Sequence, residues 1–217
     1  MPEDLTPRPL HRPLRIGDAA PDFIARSTTG PLRLSDYRGK WLLLFSHPGD
    51  FTPVCTSEFV ALARAADRFA ALGCELVAHS VDSLFSHLAW VRAIHDDLGV
   101  TVTFPIIEDP SLEIATAFGM VDQDSRSAAA VRASYFIDPE GVVRALTAYP
   151  LSVGRSVEEM LRTVAALQRT SDGLAMTPEG WSPGRDILAP PGLLACDALS
   201  GKTATRWFYR LTPDEPE

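Results

Sequence analysis

Cys55 is the residue of this chain whose type and position most favour chemistry. It closes the stretch Thr52-Pro53-Val54-Cys55, which follows an apolar segment and a turn that contains Pro48. Threonine is a common N-cap residue and proline suits the first position of a helix, so a helix is predicted to begin here. Cys55 would then lie in its first turn, beside unpaired backbone N–H groups and the positive end of the helix dipole. Both features favour the thiolate, the nucleophilic form of cysteine.

The other cysteines and the histidines do not indicate a second kind of site. Cys74 falls in a predicted buried strand, and Cys196 lies in the C-terminal segment LLACDALSGK. Three widely spaced cysteines without a CxxC pair argue against a disulfide framework, a zinc ribbon and a thioredoxin-type redox pair. None of the five histidines lies near a cysteine in the chain at the spacing of metal ligands, so no metal or other cofactor is expected. A buried structural cysteine is the alternative interpretation of Cys55.

The elements that must position Cys55 alternate along the first half of the chain. Residues 41–46 are continuously apolar and predict a buried central strand. A helix from Thr52 that Gly73 ends, a second strand over 74–81 and a helix over 83–98 follow. Strand, helix and strand at this spacing predict a parallel pair with a crossover. The end of a parallel strand is where open α/β sheets place ligands, which favours a reactive Cys55.

The second half changes the pattern. Strands over 131–137 and 142–148 are joined by an Asp-Pro-Glu-Gly turn, and an amphipathic helix covers 156–168. A parallel half followed by a hairpin and a helix predicts an α/β, thioredoxin-like fold with a mixed central sheet flanked by helices. We predict a flexible tail over 1–13, a thioredoxin-like domain over 14–170 and a proline-rich C-terminal arm over 171–217.

Composition excludes several classes of partner. The 217 residues are 46% hydrophobic, which suits one globular domain with an appendage. A net charge of −8 repels phosphate backbones, so nucleic acid is not an expected partner. The longest strongly apolar run, WLLLF, is too short to span a bilayer, and the N-terminus lacks the apolar core of a secretory signal. A cytoplasmic protein is therefore predicted.

The motif around Cys55 carries a resemblance to a known family. Residues 48–55 read P-x-x-x-T-x-x-C, which resembles the motif of peroxiredoxins. The wider string FSHPGDFTPVCTSEF resembles the one-cysteine, long-C-terminus class, the class of peroxiredoxin 6. The later blocks VDSLFSHLAW, FPIIEDPSLEIATAFGM and TPEGWSPGRDILAPP follow the same class in order, so the resemblance covers most of the chain.

The resemblance implies a thiol-dependent peroxidase. It would reduce hydrogen peroxide and organic hydroperoxides through a sulfenic acid on Cys55, for antioxidant defence and redox homeostasis. It implies that Thr52 hydrogen-bonds the sulfur and the peroxide, and that Pro48 shields the sulfenic acid from water. Arg132 matches the distal arginine of the family, which stabilises the thiolate and polarises the peroxide. Sequence separation alone does not pair Arg132 with Cys55.

Three further residues form a second tier of candidates. His47 matches a histidine of the class, and is either hydrogen-bonded near the site or a satisfied histidine at a strand end. Glu58 lies one turn past Cys55, where its carboxylate would oppose a thiolate, so we predict that it pairs with an arginine. Arg155 is another match to the family and a candidate for that pairing.

The oxidised cysteine needs a second thiol. We favour a one-cysteine cycle that ends with an external reductant, either a small thiol or a thioredoxin- or glutaredoxin-type protein. Cys196 is the alternative resolving residue. The resemblance also implies a homodimer or a higher oligomer, with residues 178–217 reaching across the dimer.

Two other functions stay open on the sequence alone. One is a redox-switched chaperone or peroxide-sensor scaffold that uses the same cysteine, because proline-rich arms often pack on a partner subunit. The other is a thioredoxin-fold binding module without chemistry, in which Cys55 behaves as an ordinary thiol.

Overall fold

The computed structural model describes residues 13–121, 130–191 and 208–214. They form two compact units, one that ends at Val157 and one that begins at Glu158. The helix that the sequence predicts over 156–168 therefore belongs mainly to the second unit. Most of the predicted N-terminal tail lies outside the described residues.

The first unit contains the predicted alternation of strands and helices. Its elements are β1 (Ile24–Ser27), β2 (Gly30–Arg33), a 3-10 helix (Leu34–Tyr37), β3 (Trp41–Ser46), α1 (Pro53–Arg64), α2 (Ala66–Ala71), β4 (Cys74–Ser80), α3 (Leu84–Leu98), β5 (Ile106–Glu108), α4 (Glu113–Phe118), β6 (Arg132–Ile137) and β7 (Val143–Tyr149).

A seven-stranded mixed sheet organises this unit, in the order β2-β1-β5-β4-β3-β6-β7. Strands β3, β4 and β5 are parallel neighbours, which confirms the predicted parallel pair. Strand β6 runs antiparallel to β3 and forms the predicted hairpin with β7. The thioredoxin-like α/β fold is confirmed.

Strand β3 lies at the centre of the core. Leu43, Leu44 and Phe45 have no exposed surface, and successive residues of a strand point to opposite faces of the sheet. Both faces at β3 are therefore covered, as the continuous apolar run predicts. Ser83 caps α3 by accepting a hydrogen bond from the Ser86 N–H at 3.3 Å, and Gly99 ends that helix in the left-handed region, both as predicted.

Two details differ from the sequence predictions. The single helix predicted from Thr52 to Gly73 is interrupted at Ala65, whose backbone leaves the helical region at φ −99° and ψ 1°. The sequence predicts one apolar stripe from Phe59 to Ala70 along this helix, but Ala70 is exposed. Strand β5 was not predicted, because a run of three residues is too short to show a period.

The second unit begins with α5 (Val157–Arg169), one residue later than predicted. Its apolar stripe buries Met160, Leu161 and Val164. Two short strands, β8 (Ile187–Leu188) and β9 (Leu211–Thr212), pair antiparallel in this unit. No helix in the described part of the chain is long and apolar enough to cross a membrane.

Candidate active site

Cys55 lies at the third position of α1, as the sequence predicts. Pro53 is the first residue of the helix and has no N–H, whereas the N–H groups of Val54 and Cys55 have no acceptor within the helix. The Cys55 side chain has no exposed surface. The sulfur is therefore shielded from solvent by the residues packed around it.

The hydroxyl of Thr52 forms a different hydrogen bond from the N-cap interaction that the sequence predicts. Thr52 is the N-cap residue by position, but its side chain makes no hydrogen bond to the helix. Its hydroxyl instead donates to the Gly49 carbonyl at 2.8 Å and closes the loop on itself. Phe51 between them has a φ of 57°, which is uncommon for a residue with a side chain. Pro48 lies half-buried in the same loop.

The register of β3 and β6 brings Arg132 to the start of α1. Phe45 pairs with Ser134, so the residues after β3 lie beside the residues that begin β6. The buried Ser46 hydroxyl joins the two strands there, since it donates to the Val131 carbonyl and accepts from the Ala133 N–H at 3.1 Å. Arg132 lies between those two residues in the chain.

The Arg132 guanidinium contacts the Cys55 sulfur. Nη2 donates to Sγ at 3.6 Å and to the Leu151 carbonyl at 2.9 Å, and Nη1 donates to a carboxylate oxygen of Glu58. The residue is 1% exposed. Its Nε has no hydrogen-bond partner within the residues that the structure describes. Arg132 therefore retains one N–H donor that no described residue accepts.

Glu58 pairs with two arginines, which confirms the predicted pairing. Its Oε1 accepts from the Arg155 backbone N–H at 2.6 Å and from Arg155 Nε at 3.0 Å. Its Oε2 accepts from Arg155 Nη2 at 2.9 Å and from Arg132. Burial alone would raise the pKa of Glu58, but the hydrogen bonds and the positive charges of Arg155 and Arg132 hold that pKa below its usual value.

Arg155 is held independently of Glu58. Its Nη1 donates to the Ala133 carbonyl at 2.7 Å and to the Ser134 hydroxyl at 3.1 Å. Its guanidinium also lies 5.4 Å from the centre of the Phe45 ring. Arg155, Glu58 and Arg132 thus form a row with two positive charges and one negative charge, and Cys55 contacts the arginine at one end of that row, Arg132.

A second buried network lies in the loop between β3 and α1. The Asp50 side chain, 2% exposed, accepts from His47 Nε2 and from His87 Nδ1, each at 2.8 Å and each on a different oxygen. Burial alone would raise the pKa of Asp50, but these two hydrogen bonds hold that pKa well below its usual value. No role is predicted for Asp50 or His87 from the sequence. His87 lies on the buried face of α3 with Trp90 and Ile94. A polar residue on an apolar helix face was the feature of the sequence that could have indicated a buried hydrogen bond.

His47, Asp50 and His87 are also residues of types that bind transition metals. One candidate ligand atom from each lies within 4.8 Å of the other two. Imidazoles that bind a metal normally donate their other N–H to an acceptor. His47 Nδ1 and His87 Nε2 have no such partner among the described residues. Direct hydrogen bonds to Asp50 therefore fit the arrangement better than a metal does.

Cys74 is the other cysteine that lies within the described residues. Cys74 is buried in β4, as predicted, and burial raises the pKa of its thiol to about 12. A thiol of this kind stays protonated and is a poor nucleophile at neutral pH. Cys196, the alternative resolving residue, lies outside the described residues.

Comparison with known proteins identifies the family. Residues 16–146 match the AhpC/TSA family. Peroxiredoxin 2 of Caldanaerobacter subterraneus subsp. tengcongensis is 44% identical over 200 residues, which are 89% of this chain and 90% of that protein. Peroxiredoxin 2 of Thermoplasma acidophilum is 46% identical over 196 residues, which are 89% of this chain and 98% of that protein. The chain belongs to the AhpC/TSA family of peroxiredoxins.

Solved structures agree with this assignment. A yeast mitochondrial 1-Cys peroxiredoxin matches with a TM-score of 0.82 at 34% identity, over 92% of this chain and 99% of that chain. Peroxiredoxin 6 of Arenicola marina matches with a TM-score of 0.83 at 32% identity, over 94% of this chain and 100% of that chain. The protein is therefore a thiol-dependent peroxidase that acts on peroxides with a thiol or thioredoxin-type reductant, and a binding module without chemistry is excluded.

Proposed function

We propose that Cys55 is the peroxidatic nucleophile and that Arg132 is its catalytic partner. The contact between Arg132 Nη2 and Cys55 Sγ at 3.6 Å carries this proposal. A thiolate at Cys55 neutralises the excess positive charge of the Arg155, Glu58 and Arg132 row, which is costly to bury uncompensated. The free Nε–H of Arg132 supplies a second donor beside the sulfur.

The reaction follows from these positions. The Cys55 thiolate attacks one oxygen of the hydroperoxide, an S–O bond forms and the O–O bond breaks. The electron pair of the broken bond leaves on the second oxygen, which departs as water or an alcohol once it takes up a proton. Donors of Arg132 stabilise the negative charge that develops on the departing oxygen, the kind of charge stabilisation that most accelerates such reactions.

Thr52 and Pro48 complete the proposed site. Because the Thr52 hydroxyl donates to the Gly49 carbonyl, its oxygen can accept from the O–H of a hydroperoxide. It can donate to the thiolate only if the bond to Gly49 breaks. Pro48 restricts the loop and limits the access of water to the sulfenic acid. His47 supports the loop through Asp50, and Glu58 and Arg155 orient Arg132.

We further propose a one-cysteine cycle. A thiol from outside the chain attacks the sulfur of the sulfenic acid, water leaves, and a second thiol reduces the mixed disulfide. The raised pKa of Cys74 supports this cycle, because it makes the other thiol of the described residues a poor nucleophile. The yeast structure concerns thiol resolution by glutathione and thioredoxin systems in a 1-Cys peroxiredoxin, which supports the same class of reductant here. A cytoplasmic homodimer, or a higher oligomer, is the assembly that we propose.

The assignment of Cys55 is tested by serine substitution. We expect Cys55→Ser to abolish the reduction of hydrogen peroxide with a dithiol as reductant, whereas Cys74→Ser retains it. Both activities are measured as peroxide consumed over time, with circular dichroism as the check on folding. Peroxidase activity that persists in folded Cys55→Ser would remove this residue from the mechanism.

The one-cysteine cycle is tested by mass spectrometry. The protein receives one equivalent of hydrogen peroxide without added thiol, and the peptide that contains Cys55 is analysed. We expect the gain of one oxygen atom on Cys55 and no cross-link. A loss of two hydrogens with a Cys55–Cys196 linkage would assign the resolving thiol to the C-terminal segment instead.

A further inference from the structure

The loop between β3 and α1 needs an external support. Phe51 holds a φ of 57°, and strained residues of this kind persist only where surrounding contacts impose them. The loop is also short, and any shift of residues 48–52 moves the start of α1 and with it Cys55. Phe51 itself is 58% exposed, so its own packing supplies little of the support.

Asp50 supplies three points of attachment. Its two carboxylate oxygens accept from His47 and His87 at 2.8 Å, and its backbone N–H donates to Asp82 at 2.7 Å. His47 follows β3, Asp82 precedes α3 and His87 lies within α3. Asp50 thereby connects the loop to the residue that follows β3, to the turn before α3 and to α3 itself.

The hydrogen-bond directions in this network are determined by chemistry. A carboxylate accepts only, so the imidazole nitrogens that face Asp50 must each carry the proton. Replacing Asp50 by asparagine would turn an NH2 group toward one of those N–H donors. That imidazole would then have to move its proton to its outer nitrogen, which has no acceptor within the described residues.

We propose that Asp50 and His87 are positioning residues for the Cys55 reaction. They act by holding the loop that places Thr52 and the start of α1 against Arg132. This inference rests on the proposed role of Cys55. Trp90, one turn beyond His87 on α3, strengthens the same connection, since its Nε1 donates to the Thr56 hydroxyl in α1 at 3.3 Å.

Two substitutions of His87 distinguish a role in hydrogen bonding from a role in packing. His87→Leu removes the donor to Asp50 and fills much of the space, whereas His87→Asn keeps an N–H donor near the position of Nδ1 but leaves a small cavity. If the hydrogen bond positions the loop, the asparagine variant retains the function and the leucine variant loses it. If packing alone matters, the order is reversed.

A neighbouring pair provides a matched control. His79 and Asp109 are as deeply buried as His87 and Asp50, and His79 Nε2 lies 3.2 Å from an Asp109 oxygen. Asp109 otherwise binds the Ala115 N–H in α4 rather than the loop before α1. Asp109→Asn therefore perturbs a buried histidine–aspartate pair without releasing residues 48–52.

The test compares two reactions of the same sulfur. The rate constant for Cys55 oxidation by hydrogen peroxide is measured by rapid mixing on the full chain, and iodoacetamide alkylation is measured on the peptide that contains Cys55. Only the peroxide reaction requires the Cys55 sulfur to be precisely placed against the donors of Arg132. We expect Asp50→Asn and His87→Leu to lower the peroxide rate constant by about ten- to a hundredfold, because small displacements of reacting groups have effects of this size. Alkylation should change far less or become faster.

The outcomes are distinct. His87→Asn and Asp109→Asn should keep the wild-type ratio of the two rate constants. A wild-type ratio in His87→Leu, a loss in His87→Asn as large as in His87→Leu, or an equal loss in Asp109→Asn would each overturn the positioning role. If Asp50→Asn does not fold, the two His87 variants decide. A fully active Cys55→Ser would instead overturn the proposed function itself.

Discussion

At the scale of single residues, the planar shape of the Arg132 guanidinium, and not its charge alone, allows this side chain to contact several groups at once. Arg132 simultaneously binds Glu58, the Leu151 carbonyl and the Cys55 sulfur, and a planar fork of five donors can do this where a single ammonium cannot. Its burial excludes water, which strengthens each of these contacts.

Arg132→Lys tests the importance of the fork. The variant keeps a positive charge but loses the Nε–H and the simultaneous contacts, so we expect the peroxide rate constant to fall by about a hundredfold. Rapid-mixing oxidation of the reduced protein measures it. Arg144→Lys is the control, because Arg144 pairs with Asp138 at the surface of β7 with its side chain 47% exposed. Equal rate constants in the two variants would contradict the prediction.

Glu58→Gln tests the buried row of charges. Breaking a buried ion pair leaves its partners uncompensated, so we expect the free energy of unfolding to fall by about 3 kcal/mol. Glu75→Gln removes the exposed pair with Lys40 and should cost less than about 1 kcal/mol. Denaturant titration of both variants provides the comparison, and similar losses would show that the buried pairing contributes little.

At the scale of elements, the pairing of β3 with β6 decides which residues meet. Each of the strands is recognisable from its own composition, but the register between them depends on contacts across the sheet. The Ser46 hydroxyl is one such contact, because it joins the end of β3 to the backbone on both sides of Arg132. A slip of this register would carry Arg132 away from Cys55.

Ser46→Ala tests that connection. The variant removes the hydroxyl that binds both the Val131 carbonyl and the Ala133 N–H, and leaves those two groups with only the 2.9 Å hydrogen bond to each other. We therefore expect a loss of about 1 kcal/mol in the free energy of unfolding. The peroxide rate constant should also fall. Ser57→Ala removes an exposed hydroxyl that donates to the Val54 carbonyl and should change neither quantity. A peroxide rate constant that is unchanged in Ser46→Ala would show that this hydroxyl does not position Arg132.

At the scale of the whole molecule, the buried His47 and the carboxylates of Asp50 and Glu58 link stability to pH. Burial lowers the pKa of His47, and its hydrogen bond to Asp50 offsets only part of that effect. Between the ordinary histidine pKa of about 6.5 and the lower pKa in the folded protein, the unfolded chain binds a proton that the folded protein does not. The free energy of unfolding therefore decreases as the pH falls through this range. Asp50 and Glu58, whose pKa values are lowered, add a further loss in stronger acid.

Denaturant titrations between neutral and mildly acidic pH check this expectation. One proton gives a slope of about 1.4 kcal/mol per pH unit once the unfolded histidine is charged. His47→Asn should reduce the slope, whereas His95→Asn, which replaces an exposed histidine, should not. An equal slope in wild type and His47→Asn would mean that His47 does not supply the linkage.

The sequence alone determined the local features of this protein. The apolar run of β3, the Pro53 start of α1, the Ser83 and Gly99 ends of α3 and the third helical position of Cys55 all follow from neighbouring residues, since caps and periodicity act over a few positions. The resemblance to a family added Arg132, which no local pattern connects to Cys55.

Only the tertiary structure decided which distant groups meet. The pairing of Glu58 with Arg155 depends on the register of the strands, and the attachment of Asp50 to His87 depends on the packing of α3. Both join residues that are far apart in the chain. The spacing of residues along the chain does not reveal such contacts. Folding excludes water from these polar groups, and each buried group then forms a hydrogen bond with whichever partner the tertiary structure brings near.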